Sequence, residues 1–207
     1  MKREEKNIQS RRKILESALQ EFGRQGYGQS SINTICSAGN ISKGVMYHYF
    51  KDKDEVYLLC VRECFEELLA CLRERLDSER EGAQNRMEAY FRVRMGFFEE
   101  HPLYQRIFSD AVMFPPAHLA EEIRKIRAEF NAYNWKTLGS LLDQLTLRPD
   151  VTRDEVMEIF EQYQNFIDAS HWAEGDTGVM AREEKCKRAL DILLYGVVER
   201  QEAQPNE

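Results

Sequence analysis

The chain has 207 residues, enough to bury a sizeable core in one or two domains. With 43% hydrophobic and 31% charged residues it does not read as disordered. No run approaches the ~18 consecutive apolar residues of a membrane helix. The formal net charge of −7 argues against a nucleic-acid binder only until it is divided. Residues 1 to 60 hold ten Lys or Arg against seven Asp or Glu, a local balance of +3, which leaves −10 for the remainder. Positive charge is gathered at one end, and an acidic body discourages a polyanion from approaching any other face.

The N-terminus MKREEKNIQSRRK lacks the apolar stretch of a signal peptide, so a cytoplasmic protein is expected. Arg3 to Arg24 reads as a first helix, with Ile14, Leu15, Ala18, Leu19 and Phe22 as its buried stripe and Gly26 as its end. Its Arg11, Arg12 and Lys13 could approach phosphate. Ser31 can cap a short helix through Ile32, Ile35 and Cys36, and Gly39-Asn40 supplies the left-handed residue that stops it. Ser42 can cap the next helix, Lys43 to Phe50, about two turns long. Met46 and Phe50 look inward at i, i+4 spacing, while Lys43, Val45, Tyr47 and His48 form an exposed polar-aromatic cluster. Two short helices joined by a tight turn make a helix-turn-helix, and the second has the dimensions to enter a DNA major groove.

Asp52 with Glu55 opens a long helix, in which Val61, Phe65, Leu68, Leu72 and Leu76 keep a spacing of three to four until Asp77-Ser78. It is a candidate lever between the N-terminal unit and the body. A helix from about Asn85 carries Met87, Tyr90, Phe91, Val93, Arg94, Phe97 and Phe98 up to His101-Pro102. Leu103 to Val112 is a short helix, and Leu119 to Leu145 is continuously helix-compatible. Thr152 with Glu155 makes a capping-box start for a helix running to about Trp172, and Arg182 to about Glu199 is the last. No strand alternation appears. The expected fold class is all-α, about nine helices, with a three-helix headpiece in residues 1–53 joined by the long helix to a larger body in residues 54–207.

The run Ile41-Ser42-Lys43-Gly44-Val45-Met46-Tyr47-His48-Tyr49-Phe50-Lys51-Asp52-Lys53, with Gly26-Tyr27 and Ser31 upstream, resembles the N-terminal domain of the TetR/AcrR (tetracycline-repressor-like) family of one-component regulators. The turn departs from that pattern at Asn40, where the family usually has glycine, and at Gly39, where it usually has alanine. The resemblance implies roles residue by residue. Lys43, Gly44 and Val45 match positions that face base edges, as does Asn33 on the preceding helix, and Val45 suits a thymine methyl. Ser31, Tyr47, His48, Tyr49 and Lys53 match phosphate-contacting or site-shaping positions.

In the body, the resemblance implies a small-molecule effector pocket among the helices from Asn85 to Leu145 and a homodimer formed through the last two helices, whose recognition helices read a palindromic double-stranded operator. The aromatics put forward as pocket-lining are Phe97, Tyr104, Phe108, Phe130, Trp135, Tyr163 and Phe166, with Arg94, Gln105, Asn134 and His171 as polar groups that could orient a ligand. Apolar walls with a few polar groups suit a small apolar or aromatic molecule. The function expected is therefore a ligand-responsive transcriptional repressor with no cofactor.

Two other classes compete: a DNA-binding protein with no effector, and an all-α enzyme. For the enzyme, His48, His101, His118 and His171 are scattered, no HExxH or GxSxG motif occurs, and no catalytic residue is assigned. Five cysteines make an odd number without a CxxC pair, and Cys60, Cys64 and Cys71 recur at helical spacing. They read as buried reduced thiols, and no metal site is expected.

Overall fold

The computed structural model describes residues 2–76, 83–174 and 178–197, with the side chains of all of these except 2–4, 83–86, 165–174 and 195–197. Among the described residues the elements are α1 (Lys2–Gln29), α2 (Ile32–Ala38), α3 (Lys43–Tyr49), α4 (Lys53–Leu76), α5 (Ala83–Glu100), α6 (Pro102–Met113), a 3-10 turn (Ala117–Leu119), α7 (Ala120–Leu142), α8 (Arg153–Glu174) and α9 (Val179–Val197). The fold is all-α, as the spacing of apolar residues predicts.

Local hydrogen bonds set the starts of the short helices. Ser31 and Thr34 cap α2 reciprocally, each side chain bonded to the other residue's backbone N–H. Ser42 Oγ accepts from the Val45 N–H at the start of α3. In the turn between them Gly39 stays right-handed and Asn40 takes the left-handed conformation at φ 48°. Asn40→Ala should cost about 1 kcal/mol of stability, because the Cβ of alanine meets its own carbonyl there without a side-chain amide to compensate. Asn40→Gly should cost nothing, and urea unfolding of the two variants side by side checks this.

Gly26 ends the regular run of the first helix, as its place in the sequence predicts, and a short helical stretch follows the kink. At φ 75°, ψ 169° the chain leaves helical geometry, then continues helically to Gln29. The break releases the Tyr27 N–H, which donates to the Asp110 carboxylate of α6 at 3.2 Å. Arg106 pairs with the same carboxylate at 3.0 Å, although burial still holds the Asp110 carboxyl above its usual range. Gly23, one turn earlier, lies so close to α6 that a Cβ there would sit 2.8 Å from the Leu103 Cβ and carbonyl oxygen. The end of α1 is thus seated directly on the body.

Helix α4 joins both parts: Tyr57 packs its ring against Phe22 and Tyr27 of α1, and Phe65 against Phe108 and Phe130 of the body. Around Phe65 the rings of Phe98, Phe108 and Phe130 assemble, with neighbouring centroids 4.9 to 6.2 Å apart. Cys36, Cys60, Cys64 and Cys186 are buried and Cys71 half-buried, all as free thiols. Burial pushes the Cys64 thiol well up, so the reactive thiolate is suppressed. No helix of the described residues is long and apolar enough to cross a membrane.

Candidate nucleic-acid interface and body cleft

Fully buried Met46 and nearly buried Phe50 clamp α3 against the headpiece, which turns its opposite face to solvent. Lys43, Gly44 and His48 are exposed there, Val45 is 40% and Tyr47 57% exposed, and Asn33 of α2 is exposed alongside. Exposed apolar Val45 and Tyr47 beside a lysine are a surface that gains from being covered. Nothing inside the protein demands glycine at position 44, since an added Cβ would meet only Ser42 Oγ at 4.0 Å. Its bare backbone leaves room for close approach from outside.

The remaining three residues expected at this interface are engaged in building the headpiece. Ser31 is taken up in its cap. Tyr49 is half-buried and donates its phenol to Asn7 Oδ1 at 2.9 Å, which ties α3 to the first turns of α1. Lys53 donates to the Tyr27 and Ser30 carbonyls at 3.0 and 3.1 Å, with its ammonium 3.9 Å from the Tyr27 ring centroid. Next to it, the Tyr27 phenol donates to Asp54 at 2.5 Å and lies 3.2 Å from His118 of the 3-10 turn, so α1, α4 and the body meet at one polar knot. The role of Asn7 was not legible from sequence, because its partner lies 42 residues away.

In the body, a cleft of ≈170 Å³ opens between α5, α7, α8 and α9. Met87, Phe91, Leu138, Leu141, Phe160 and Leu190 supply apolar wall, and Arg127, Asn131 and Asn134 form a polar row on α7, faced by Glu161 and Gln164 of α8 and Arg182 of α9. Of the seven aromatics put forward for a pocket, Trp135 lines this cleft. Phe97, Tyr104, Phe108 and Phe130 are enclosed in the core, where their rings pack on one another or on Phe65 and Phe98. Tyr163 is 44% exposed on the outer side of α8, in a separate apolar groove with Ile159, Phe160, Ala189, Ile192 and Leu193. Phe166 lies outside the residues whose side chains are described, as does His171.

Gln105 donates to the Phe98 carbonyl at 2.9 Å, a structural bond. Arg94 is buried, at 3% exposure, with Nη2 2.7 Å from Glu183, whose side chain is fully enclosed. Its Nη1 donates to Tyr90 Oη at 2.5 Å, and Tyr90 donates to Asn134 Oδ1 at 2.7 Å. Burial raises the Tyr90 phenol against the pull of Arg94, so it keeps its proton. A polar chain therefore runs from the core to the cleft wall.

The profile of bacterial regulatory proteins of the tetR family matches residues 14–60, which cover most of α1, all of α2 and α3, and the start of α4. The chain is similar to the HTH-type transcriptional regulator YhgD of Bacillus subtilis, 26% identical over 131 residues that span 61% of this chain and 66% of that protein. Similarity to the HTH-type transcriptional repressor AcnR of Corynebacterium efficiens is 34% over 59 residues, 28% of this chain and 31% of that one. Residues 14–60 are a TetR-family N-terminal domain. These alignments span less than two thirds of either relative, and it is the fold that carries the likeness through the body. A solved TetR-family regulator from Shewanella sp. PV-4 superposes with a TM-score of 0.63 at 16% identity, over 92% of this chain and 99% of that one. The ketosteroid transcriptional regulator of Mycobacterium tuberculosis superposes with a TM-score of 0.58 at 23% identity, over 90% and 94%.

Against the usual TetR turn, the departure at residue 39 has a local cause. A Cβ on Gly39 would stand 2.7 Å from Ser17 Oγ and 2.6 Å from the Ile41 Cδ1. Ser17 is held in place by donating to the Ile35 carbonyl at 2.7 Å. In this TetR headpiece α1 and α2 approach too closely for alanine.

Proposed function

We propose that the protein is a ligand-responsive, DNA-binding transcriptional repressor of the cytoplasm that acts as a homodimer without catalysis. Residues 1–53 are read as its DNA-binding unit and residues 54–207 as its effector-binding and dimerisation unit. The observation that carries the reading is the outer face of α3, where Lys43, Gly44, Val45, Tyr47 and His48 stand clear of the protein beside Asn33. Lys43 offers a cation to phosphate or guanine, and Val45 an apolar contact to a thymine methyl. Lys53, Tyr49 and Ser31 act by holding that face in position.

Helices α5 and α7, which line the cleft, both pack on α4. A ligand that prefers one placement of α4 therefore biases the headpiece, and a coupling of about 1–3 kcal/mol would loosen the operator some 5- to 150-fold, with the reciprocal effect of operator on ligand.

Selection from a randomised duplex library followed by mobility shifts tests the reading. A palindromic site should emerge. Lys43→Ala should weaken binding and lower its salt dependence, whereas Val45→Ala should cost about 1 kcal/mol or more at one base pair and little elsewhere. Recovery of no palindrome, or equal losses on every sequence for both variants, would remove the assignment.

A further inference from the structure

This inference rests on reading the body cleft as the effector site and adds the chemistry of the ligand's head. Arginine can only donate, so the contact from Arg94 uses a lone pair of the Tyr90 phenolic oxygen and leaves the phenolic proton to be placed elsewhere. The acceptor in reach is Asn134 Oδ1 at 2.7 Å. That bond decides which way the amide lies. Its carbonyl is committed to Tyr90, and its Nδ2 protons are what the side chain has left to offer the cleft it lines.

The chain behind this donor is costly. Arg94 and Glu183 are 3% and 0% exposed, and burying such a pair is often no more stabilising than packing hydrophobic residues of the same volume. What the pair does deliver is a phenol of fixed orientation and, through it, an amide of fixed orientation. Asn131 and Arg127 stand three and seven residues before Asn134 on the same face of α7, and Arg182 adds a second cation to the wall. The same face of α7 continues with Leu138 and Leu141, and Met87 and Phe91 of α5 add the rest of the apolar wall.

We propose that the cleft takes an amphipathic organic carboxylate, its apolar body against Met87, Phe91 and Leu141 and its carboxylate on Asn134 Nδ2 within the field of Arg127 and Arg182. An amine of the same shape would bring donors to donors and a cation to cations. An alcohol would fill the apolar wall and gain one neutral hydrogen bond only.

Calorimetric titration of the full-length protein with 4-phenylbutyrate, 4-phenylbutanol and 4-phenylbutylamine reads the difference. The acid should bind saturably and about tenfold or more tightly than the other two, the margin of a charge-assisted hydrogen bond over a neutral one. Asn134→Asp still accepts the Tyr90 proton but replaces the donor by an anion, so it should weaken the acid about tenfold or more and should not weaken the amine. Arg127→Gln keeps a donor for the Ala111 carbonyl while removing the charge, and should weaken the acid several-fold. It decides the matter if Asn134→Asp does not fold. Equal affinity for the three probes, no uptake of the acid at millimolar concentration, or wild-type affinity in both variants would overturn the assignment. Operator binding is measured on the same samples, so the two readings fail separately. An acid that binds as described without moving operator affinity removes effector control and leaves the head-group assignment standing.

Discussion

Glu183→Leu is expected to destabilise the protein by about 3–5 kcal/mol, the range for leaving one member of a buried ion pair uncompensated. The carboxylate has no exposed surface and receives Arg94 Nη2 at 2.7 Å and Arg182 Nη1 at 3.0 Å. Arg94 in turn lies among the rings of Tyr90, Phe108 and Phe130, at 5.2 to 5.8 Å from their centroids, which offer it a favourable quadrupole but no counter-charge. Without Glu183 a guanidinium remains in the aromatic core. Arg94→Met alone should cost less, because Glu183 keeps Arg182. The double variant Arg94→Met, Glu183→Leu should recover only part of the loss, since it takes the guanidinium out of the aromatic core but still deprives Arg182 of this carboxylate. Urea unfolding at one fixed protein concentration gives all four corners of the cycle. A loss below about 1 kcal/mol for Glu183→Leu, or no recovery in the double variant, would mean that the pair is not the electrostatic centre of the body.

This pair also marks where sequence reading stopped. Caps and turns were legible because their partners lie within four residues: Ser31 with Thr34, Ser42 with the Val45 N–H, Thr152 with Glu155. The inward positions of α3 and α4 were legible for the same reason, since one helical period decides them. Arg94 and Glu183 are 89 residues apart, and Lys53 meets the Tyr27 and Ser30 carbonyls across 26 and 23. Both basic residues looked like groups for an outside partner, and both are satisfied within the protein. The aromatics are a different case. Periodicity placed Phe97, Tyr104, Phe108 and Phe130 on inward faces, where they are, but the same period serves a packed core and a cavity wall equally. The cleft opens instead along Arg127, Asn131 and Asn134, residues whose spacing on α7 reads as an ordinary solvated stripe. Only Asn134 was singled out, and only its contact with Tyr90 shows why it points as it does.

Leu193→Glu should separate the proposed dimer and with it abolish nearly all operator affinity, while leaving helicity largely intact. In one protomer α8 and α9 expose Ile159, Tyr163 and Ile192 at 49, 44 and 63%, and with Phe160, Ala189 and Leu193 these form an apolar groove that faces away from the core. A second copy related by a two-fold axis would cover that groove with its own. Any residue in such an isologous interface occurs twice, so the substitution buries two unpaired carboxylates, each worth several kcal/mol against association. The consequence for DNA follows from geometry. Two headpieces held by one interface make the second half-site an intramolecular event, and losing the tether lowers operator affinity by roughly 10²- to 10⁴-fold without touching α3. Sedimentation velocity, circular dichroism and mobility shifts on one preparation read all three effects. A wild-type protein that sediments as a monomer at micromolar concentration, or a Leu193→Glu protein that remains dimeric, would place the dimer elsewhere or nowhere on this chain.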